Sequence, residues 1–373
     1  MSKKGRVRRI FPGGNTPNGF HSFYDYITPP DSTRIYILKG GPGVGKSTFM
    51  KKIAEEMIDR GYDMELLHCS SDNNSLDGIR IPSIGVAMID GTAPHIVDPK
   101  NPGAVDEIIH LGDYWDEAGM RQSRDEILAS NREVGRLFAR AYDNLRAAKA
   151  YYDELQSYYR QALGVHWLNT KTEELLVEIF GPKRLNKPGS ERHLFASAIT
   201  PEGPRHHLDT LVGPMAHRYI WTGEPGTGKS TMIKKLADAA VQKGYQVELF
   251  HCPMDPKKVD HVLIPELNLA LVKSIPPHTF PSRLGDGVID TDVALDDSLL
   301  RPNQDDIAVA GALYEAALAR GVSFIKRAKE AHDRMETYYI PNIRFDEVEA
   351  RRQKVLARIL ELAEERSAAP LGD

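Results

Sequence analysis

"LKGGPGVGKST" spans Leu38–Thr48 and "WTGEPGTGKST" spans Trp221–Thr231. Both satisfy G-x-x-x-x-G-K-[ST], and their lysines, Lys46 and Lys229, lie 183 residues apart. The spacing has a chemical reason. Glycines let a backbone curl around a phosphate chain with its N–H groups pointing inwards, and a following helix adds the positive end of its dipole. The lysine then reaches the β- and γ-phosphates, and the serine supplies a hydroxyl to Mg²⁺. In each copy an apolar, β-rich run precedes the loop, "RIYILKG" and "RYIWTG". A helical pattern follows it. Phe49, Met50, Ile53, Ala54, Met57 and Ile58 share one face in the first copy, and Met232, Ile233, Leu236, Ala237, Ala240 and Val241 match them in the second. Gly61 and Gly244 stand where a helix C-terminal glycine belongs.

The loops belong to a longer repeat. A shift of 183 aligns Tyr36 with Tyr219 and runs without a gap to His95 and His278. Upstream, a shift of 184 pairs Phe11, Thr16, Pro17, Gly19 and Asp25 with Phe195, Thr200, Pro201, Gly203 and Asp209. Downstream, a shift of 180 pairs "LRAAKAYYDELQSYY" with "IKRAKEAHDRMETYY". So long a period is a duplicated domain rather than a solenoid repeat. It predicts domains at 1–185 and 190–373, joined by the Pro-, Gly- and charge-rich linker 181–192. "SAAPLGD", residues 367–373, reads as a frayed tail.

Each half reads as α/β. "MELLHC" and "VELFHC" are second strands, and "IGVAMID" and "LNLALVK" are third strands. Short strand–helix–strand connections predict a parallel sheet flanked by helices on both faces. Residues 116–160 and 303–339 read as long helices, each followed by another, near 170–180 and at 345–366, a helical C-terminal extension to each domain. The tyrosine pairs that end the long helices, Tyr158–Tyr159 and Tyr338–Tyr339, read as packing groups.

With both loops set between strand and helix, the chain resembles the P-loop NTPase superfamily over residues 34–61 and 217–244. Its full-length layout resembles bacterial proteins with two tandem P-loop domains, described as ATPases or ATP-binding proteins and carrying no established substrate. The resemblance implies nucleotide binding by Gly40, Gly41, Pro42, Gly43, Val44, Gly45, Lys46, Ser47 and Thr48. The second copy supplies Gly223, Glu224, Pro225, Gly226, Thr227, Gly228, Lys229, Ser230 and Thr231. No NKxD-type guanine motif is present; "NKPG" at 186–189 lacks the aspartate. No LSGGQ-like signature and no apolar run ending in Asp-Glu is present either, so ATP with Mg²⁺ is the nucleotide by elimination.

Both copies keep His68–Cys69 and His251–Cys252, then Asp72 and Asp255, Asp77 and Asp260, Pro82 and Pro265, and Pro94–His95 and Pro277–His278. These follow strand ends, where ligands lie in open parallel sheets. Asp72 and Asp255 read either as Mg²⁺–water contacts or bases, or as Asx-turns leaving the strand. His95 and His278 read equally as ligand contacts or loop structure. Zinc on the His-Cys pairs is disfavoured, because adjacent strand residues point to opposite faces. The copies differ at one decisive place. Asp90 follows "VAMI" as a carboxylate placed for Mg²⁺ with Ser47, whereas Lys273 follows "LALV" at the same place in the second copy, where Ser230 is the loop hydroxyl for Mg²⁺. One reading makes the first half catalytic, through Lys46 and Asp90, and the second half regulatory. The other makes Asp72 and Asp255 the metal carboxylates and leaves Lys46 and Lys229 equally competent. The first is preferred. Arg132, Arg136 and Arg140 form an i, i+4, i+8 stripe that reads as a solvated helix face in preference to a lid or arginine finger.

A net charge of −4 with 41% apolar residues gives no global pull towards nucleic acid or anionic membrane. The basic start lacks the apolar core of a secretory signal, no bilayer-spanning stretch is expected, and two cysteines make no disulfide framework. The composition therefore predicts a cytoplasmic protein with reduced thiols. The expected function is an Mg²⁺-dependent ATPase whose halves pair as an internal pseudo-dimer. The alternatives are an ATP-dependent kinase of a small molecule or nucleotide, and a nucleotide sensor that binds a protein partner.

Overall fold

The computed structural model describes residues 4–368. In chain order the main elements of the first repeat are β1 (Val7–Ile10), β2 (Arg34–Lys39), α1 (Lys46–Asp59), β3 (Met64–His68), β4 (Leu76–Ile81), β5 (Val86–Asp90), β6 (Asp106–His110), α2 (Arg124–Gln161) and α3 (Val165–Phe180). The second repeat supplies β7 (Ser190–Leu194), β8 (His217–Thr222), α4 (Lys229–Gln242), β9 (Gln246–Cys252), β10 (Asp255–Ile264), β11 (Leu269–Lys273), β12 (Gly287–Asp290), α5 (Gln304–Tyr339) and α6 (Phe345–Ala368). Short hairpins, Gly13–Thr16 with Gly19–Ser22 and Ser197–Thr200 with Gly203–His206, accompany them. The fold is thus mixed α/β with two six-stranded sheets flanked by helices. Of the tail expected at 367–373, Ser367 and Ala368 end α6, and the rest lies outside the described residues.

The sheets are not parallel, as the sequence suggested, but mixed. The first runs β1-β3-β4-β5-β2-β6 and the second β7-β9-β10-β11-β8-β12, the same order in both copies. β4 and β10 run antiparallel to both neighbours; the other pairings are parallel. Only residues 69–75 join β3 to β4. A parallel crossover needs a dozen residues or more, so that link can only fold the chain back. β4 escaped sequence reading because "LDGIRI" has Asp77, Gly78 and Arg80 within it.

The chain divides into two compact units that cut across the linear halves 1–185 and 190–373. The first comprises Met1–Gly13, Ser22–Phe138 and Ile325–Asp373; the second comprises Gly14–His21 and Ala139–Phe324. In the first unit α1 buries Phe49, Met50, Ile53, Ala54 and Met57. That face joins Tyr36, Leu38, Leu66, Ile79 and Met88 of the sheet, together with Val348, Val355, Ile359 and Leu362 of α6. In the second unit α4 buries Met232, Ile233, Leu236, Ala237 and Ala240, and Leu168, Leu175 and Phe180 of α3 complete the core. Each sheet is therefore covered by the extension helix that belongs, by repeat, to the other half. The expected linker is not free chain. Leu185 N–H donates to the Lys243 carbonyl, Lys187 pairs with Glu266 at 3.0 Å, and Ser190 begins β7.

The long helices fall where the sequence placed them. Arg132, Arg136 and Arg140 are exposed, with Arg140 3.7 Å from Asp143. One expectation fails. Segment 297–342 contains an 18-residue window of mean hydropathy 1.3, long and apolar enough by composition to cross a membrane. Its apolarity rests largely on alanine, and Glu315 and Arg320 lie in the same stretch.

Candidate functional site: two glycine loops

Each loop leaves the carboxyl end of the strand next to the sheet edge, β2 or β8, and enters α1 or α4. Three glycines per loop adopt left-handed φ: Gly40, Gly43 and Gly45 at +156°, +66° and +88°, and Gly223, Gly226 and Gly228 at +117°, +89° and +83°. Side chains other than glycine rarely take these angles, which accounts for the glycine spacing. Gly45 and Gly228 are the N-caps, and neither helix has a side-chain cap. The first-turn N–H groups therefore have no side-chain acceptor of their own.

The lysines fold across their loops. Lys46 Nζ donates to the carbonyls of Gly40 (3.0 Å) and Gly41 (2.9 Å) and lies 3.7 Å from the Asp90 carboxylate. Lys229 Nζ donates to Gly223 O (2.8 Å), Glu224 O (2.6 Å) and Thr227 Oγ1 (2.8 Å). Burial pushes Lys229 down to about 8, and the neighbouring Lys273 ammonium acts in the same direction. Ser47 Oγ accepts from the Leu76 N–H at 3.0 Å, which ties the start of β4 to the loop.

At the next strand end the copies part. β2 and β5 are parallel, with Leu38 beside Asp90. Asp90 accepts from Thr92 N (3.0 Å) and Thr92 Oγ1 (2.6 Å). In the second copy Lys273 pairs with buried Asp260. Burial opposes charge on both, but their mutual attraction prevails, holding the Asp260 carboxyl below its usual range and raising Lys273. Asp77, the counterpart of Asp260, has no lysine, so burial pushes its carboxyl upward against the pull of His95, 3.8 Å away. His95 stacks on Tyr24 with centroids 4.5 Å apart, and its Nδ1 lies 3.1 Å from the Asp90 carbonyl. His278 is pushed down to about 4 by burial, so it is a neutral imidazole.

Asp72 makes an Asx-type turn, accepting from Asn74 N (3.0 Å) and Ser75 Oγ (2.7 Å), and also lies 3.5 Å from Lys329. Asp255 sits 3.8 Å from Lys149 and 3.6 Å from Lys258. The His-Cys pairs diverge. His68 Nε2 is 2.9 Å from Arg9 Nη1, whereas Cys69 Sγ accepts from Ser71 N–H at 3.4 Å. His251 Nε2 is 2.9 Å from His193 Nδ1, and burial lowers His251 to about 4 and lifts the Cys252 thiol to about 12. Both cysteines are free. Among the described residues, the ligand atoms that converge within 4.8 Å are instead those of His332, Asp333 and Glu336 on α5; Asp333 already pairs with Lys329.

Sequence reading missed how the loops are roofed. A Cβ at Gly41 would lie 2.6 Å from the Tyr339 ring, and one at Gly43 would meet Ile340 and Glu336. In the second unit a Cβ at Gly226 would lie 2.4 Å from the Gln156 carbonyl. Burial and the nearby Glu224 carboxylate push the Tyr159 hydroxyl up to about 12. The C-terminal ends of α5 and α2 therefore lie over loops 40–48 and 223–231 respectively. The second tyrosine of each pair, Tyr339 and Tyr159, lies at a glycine loop. Their repetition at a shift of 180 was the available signal. A search of protein-family models, curated proteins and solved structures finds no match to the chain.

Proposed function

We propose that the protein binds a nucleoside triphosphate at each glycine loop and hydrolyses ATP at the first. The observation that carries this reading is the duplicated arrangement of left-handed glycines, a side-chain-uncapped helix start and a lysine folded across the loop. Lys46 and Lys229 would exchange their loop carbonyls for phosphate oxygens, a shift of partners that leaves the backbone in place. Loop and first-turn N–H groups would bind the remaining oxygens. Ser47, whose hydroxyl stands at the start of α1, and Asp90, 3.7 Å from Lys46, would supply a hydroxyl and a carboxylate to Mg²⁺. When bound there, the metal would neutralise charge on the transferring phosphoryl group. The second copy presents Lys273 in place of that carboxylate, and an ammonium cannot ligate a metal. The second site is therefore assigned to binding and control.

Titration calorimetry with a non-hydrolysable ATP analogue and Mg²⁺ should give two sites per chain, with Lys46→Ala and Lys229→Ala each removing one. A stoichiometry of one in the unaltered protein would reject the two-site reading. ATP turnover only on addition of an acceptor would replace hydrolysis by phosphoryl transfer.

A further inference from the structure

The two loops sit in unequal electrostatic surroundings. A cavity of about 120 Å³ lies over the second loop. At roughly 10–15 Å³ per water-sized group, it has room for a ligand of about ten heavy atoms, the scale of a short phosphate chain. Its wall carries Lys149, Gln156, Arg160, Lys229, Lys258 and Lys273. The repeat places Lys329, Glu336, Ile340, Lys46, Ser75 and Asp90 at the corresponding positions of the first loop. Five of the six are cationic in the second copy, for a formal charge of +5. In the first copy two cations meet two carboxylates, for a formal charge of zero.

The carboxylates beside these groups narrow the difference without erasing it: Asp153, Asp255 and Asp260 have counterparts in the first copy, whereas Glu224 and Asp292, near Lys229, stand where the first copy has Gly41 and Gly112, so the second site keeps a cationic excess. Lys149 pairs with Asp153 at 2.5 Å, as Lys329 pairs with Asp333. Asp255 stands 3.8 Å from Lys149 and 3.6 Å from Lys258, and Asp72 stands 3.5 Å from Lys329. Asp260 takes up Lys273, and Asp77 is its counterpart. Lys258 also donates to Gln156 Oε1 at 3.0 Å, which holds its ammonium at the cavity wall. Lys229 is buried, and its partners are two backbone carbonyls and a hydroxyl, with no carboxylate within ion-pair distance among the described residues.

We infer that the second loop takes its polyphosphate as a bare anion, neutralised by protein cations, whereas the first takes it only as a metal complex. The inference rests on the proposed phosphate-binding role of both loops. Its physical basis is charge balance. A triphosphate carries three to four negative charges, and a site of low dielectric must match them from the protein or from a cation that enters with the ligand. The second site supplies the match from Lys229, Lys258 and Arg160. The first has Asp90 in place of Lys273 and Glu336 in place of Gln156, and needs a divalent ion to join them to the phosphates.

The test uses the full-length chain and inorganic triphosphate as the probe. Lys46→Ala isolates the second loop and Lys229→Ala isolates the first. Each is titrated by calorimetry with excess chelator and again with Mg²⁺. Lys46→Ala should bind in chelator with an affinity within about threefold of that in Mg²⁺. Lys229→Ala should lose about tenfold or more when the metal is withdrawn, a difference of about 1.4 kcal/mol per decade. Adding Lys258→Ser and Arg160→Ile, the residues of the first copy, to Lys46→Ala should weaken chelator binding by about tenfold or more while moving Mg²⁺ binding less. If Lys46→Ala binds triphosphate only with Mg²⁺, the inference is overturned and the two-site nucleotide reading stands. If neither variant binds under either condition, the nucleotide reading itself falls.

Discussion

A chain that ends at Asn342 should not form the first unit, although it retains every strand of that unit's sheet. The truncation removes Ile343 and α6, from which Ile343, Val348, Val355, Ile359 and Leu362 enter the first core, each at most 8% exposed. Burying such a side chain contributes about 1.5–3 kcal/mol, so five contribute about 7–15 kcal/mol, an upper bound because unfolded chains bury part of this surface already. The whole stability of a domain is about 5–15 kcal/mol. The loss therefore matches the total. It also removes Glu349, which pairs with Lys52 of α1 at 3.0 Å, and Arg344, which donates to the Trp115 carbonyl at 3.1 Å and the Asp113 carbonyl at 2.9 Å. Hydrogen exchange should find no slow amides in β2, β3 or β5, and the protein should aggregate. Slow exchange in those strands would show that α6 is dispensable. Ile359→Ala, at a fully buried position, is the graded version, expected to cost about 2–5 kcal/mol.

The second large effect concerns chemistry. Lys46→Ala should abolish ATP turnover, and Asp90→Asn should lower it by about 10²-fold or more while changing nucleotide binding less. Charge that develops in the transition state is where a well-placed electrostatic group acts most strongly, and one such group is worth about 10²–10³ in rate. Asp90→Asn keeps the side chain's shape and one oxygen for Thr92, now held at 2.6 and 3.0 Å, so the loop should persist. Lys229→Ala should leave a measurable fraction of turnover, because the second copy offers Lys273, and not a carboxylate, at the strand end. Steady-state rates of the three variants decide the matter. If Lys229→Ala is as inactive as Lys46→Ala while Asp90→Asn is near normal, the asymmetry fails. Asp72 and Asp255 would then become the metal-site candidates in two equivalent halves.

The reach of the sequence had physical limits. The faces of α1 and α4 were legible because a 3.6-residue period is a local property; only Ile58 and Val241 of the predicted stripes stay partly exposed. The antiparallel direction of β4 and β10 was not read from periodicity, which carries no direction, although the short link before β4 held the clue. Short edge strands such as β1 and β12 have too few residues to show alternation. The exchange of α3 and α6 between sheets was invisible for another reason. The repeats are similar, so either helix offers an apolar stripe suited to either sheet, and only the path of α2 and α5 decides which it meets. At the site, the loop glycines and lysines were plain from spacing. The roof formed by Tyr339, Glu336 and Gln156 was not, since those residues lie more than a hundred positions from the loops they meet or, for Gln156, some seventy.

The exchanged helices also set an order of events on the ribosome. The first unit uses the chain up to Phe138 and resumes only at Ile325, so residues 139–324, 186 positions, must be made in between. At about 5–20 residues per second this is a wait of about 10–40 s. During that interval the nascent sheet has strands but lacks the helix that covers them, and its apolar face is the surface a chaperone would meet. The second unit has all its segments once Phe324 has emerged. Synthesis from the N-terminus should thus finish the two units in reverse of their order in the sequence. Protease digestion of ribosome-bound chains arrested just after Phe324 has left the exit tunnel would reveal it: β9–β11 should be protected while β2–β5 are still cut. Protection of β2–β5 at that length would mean that the first unit closes without its last helix.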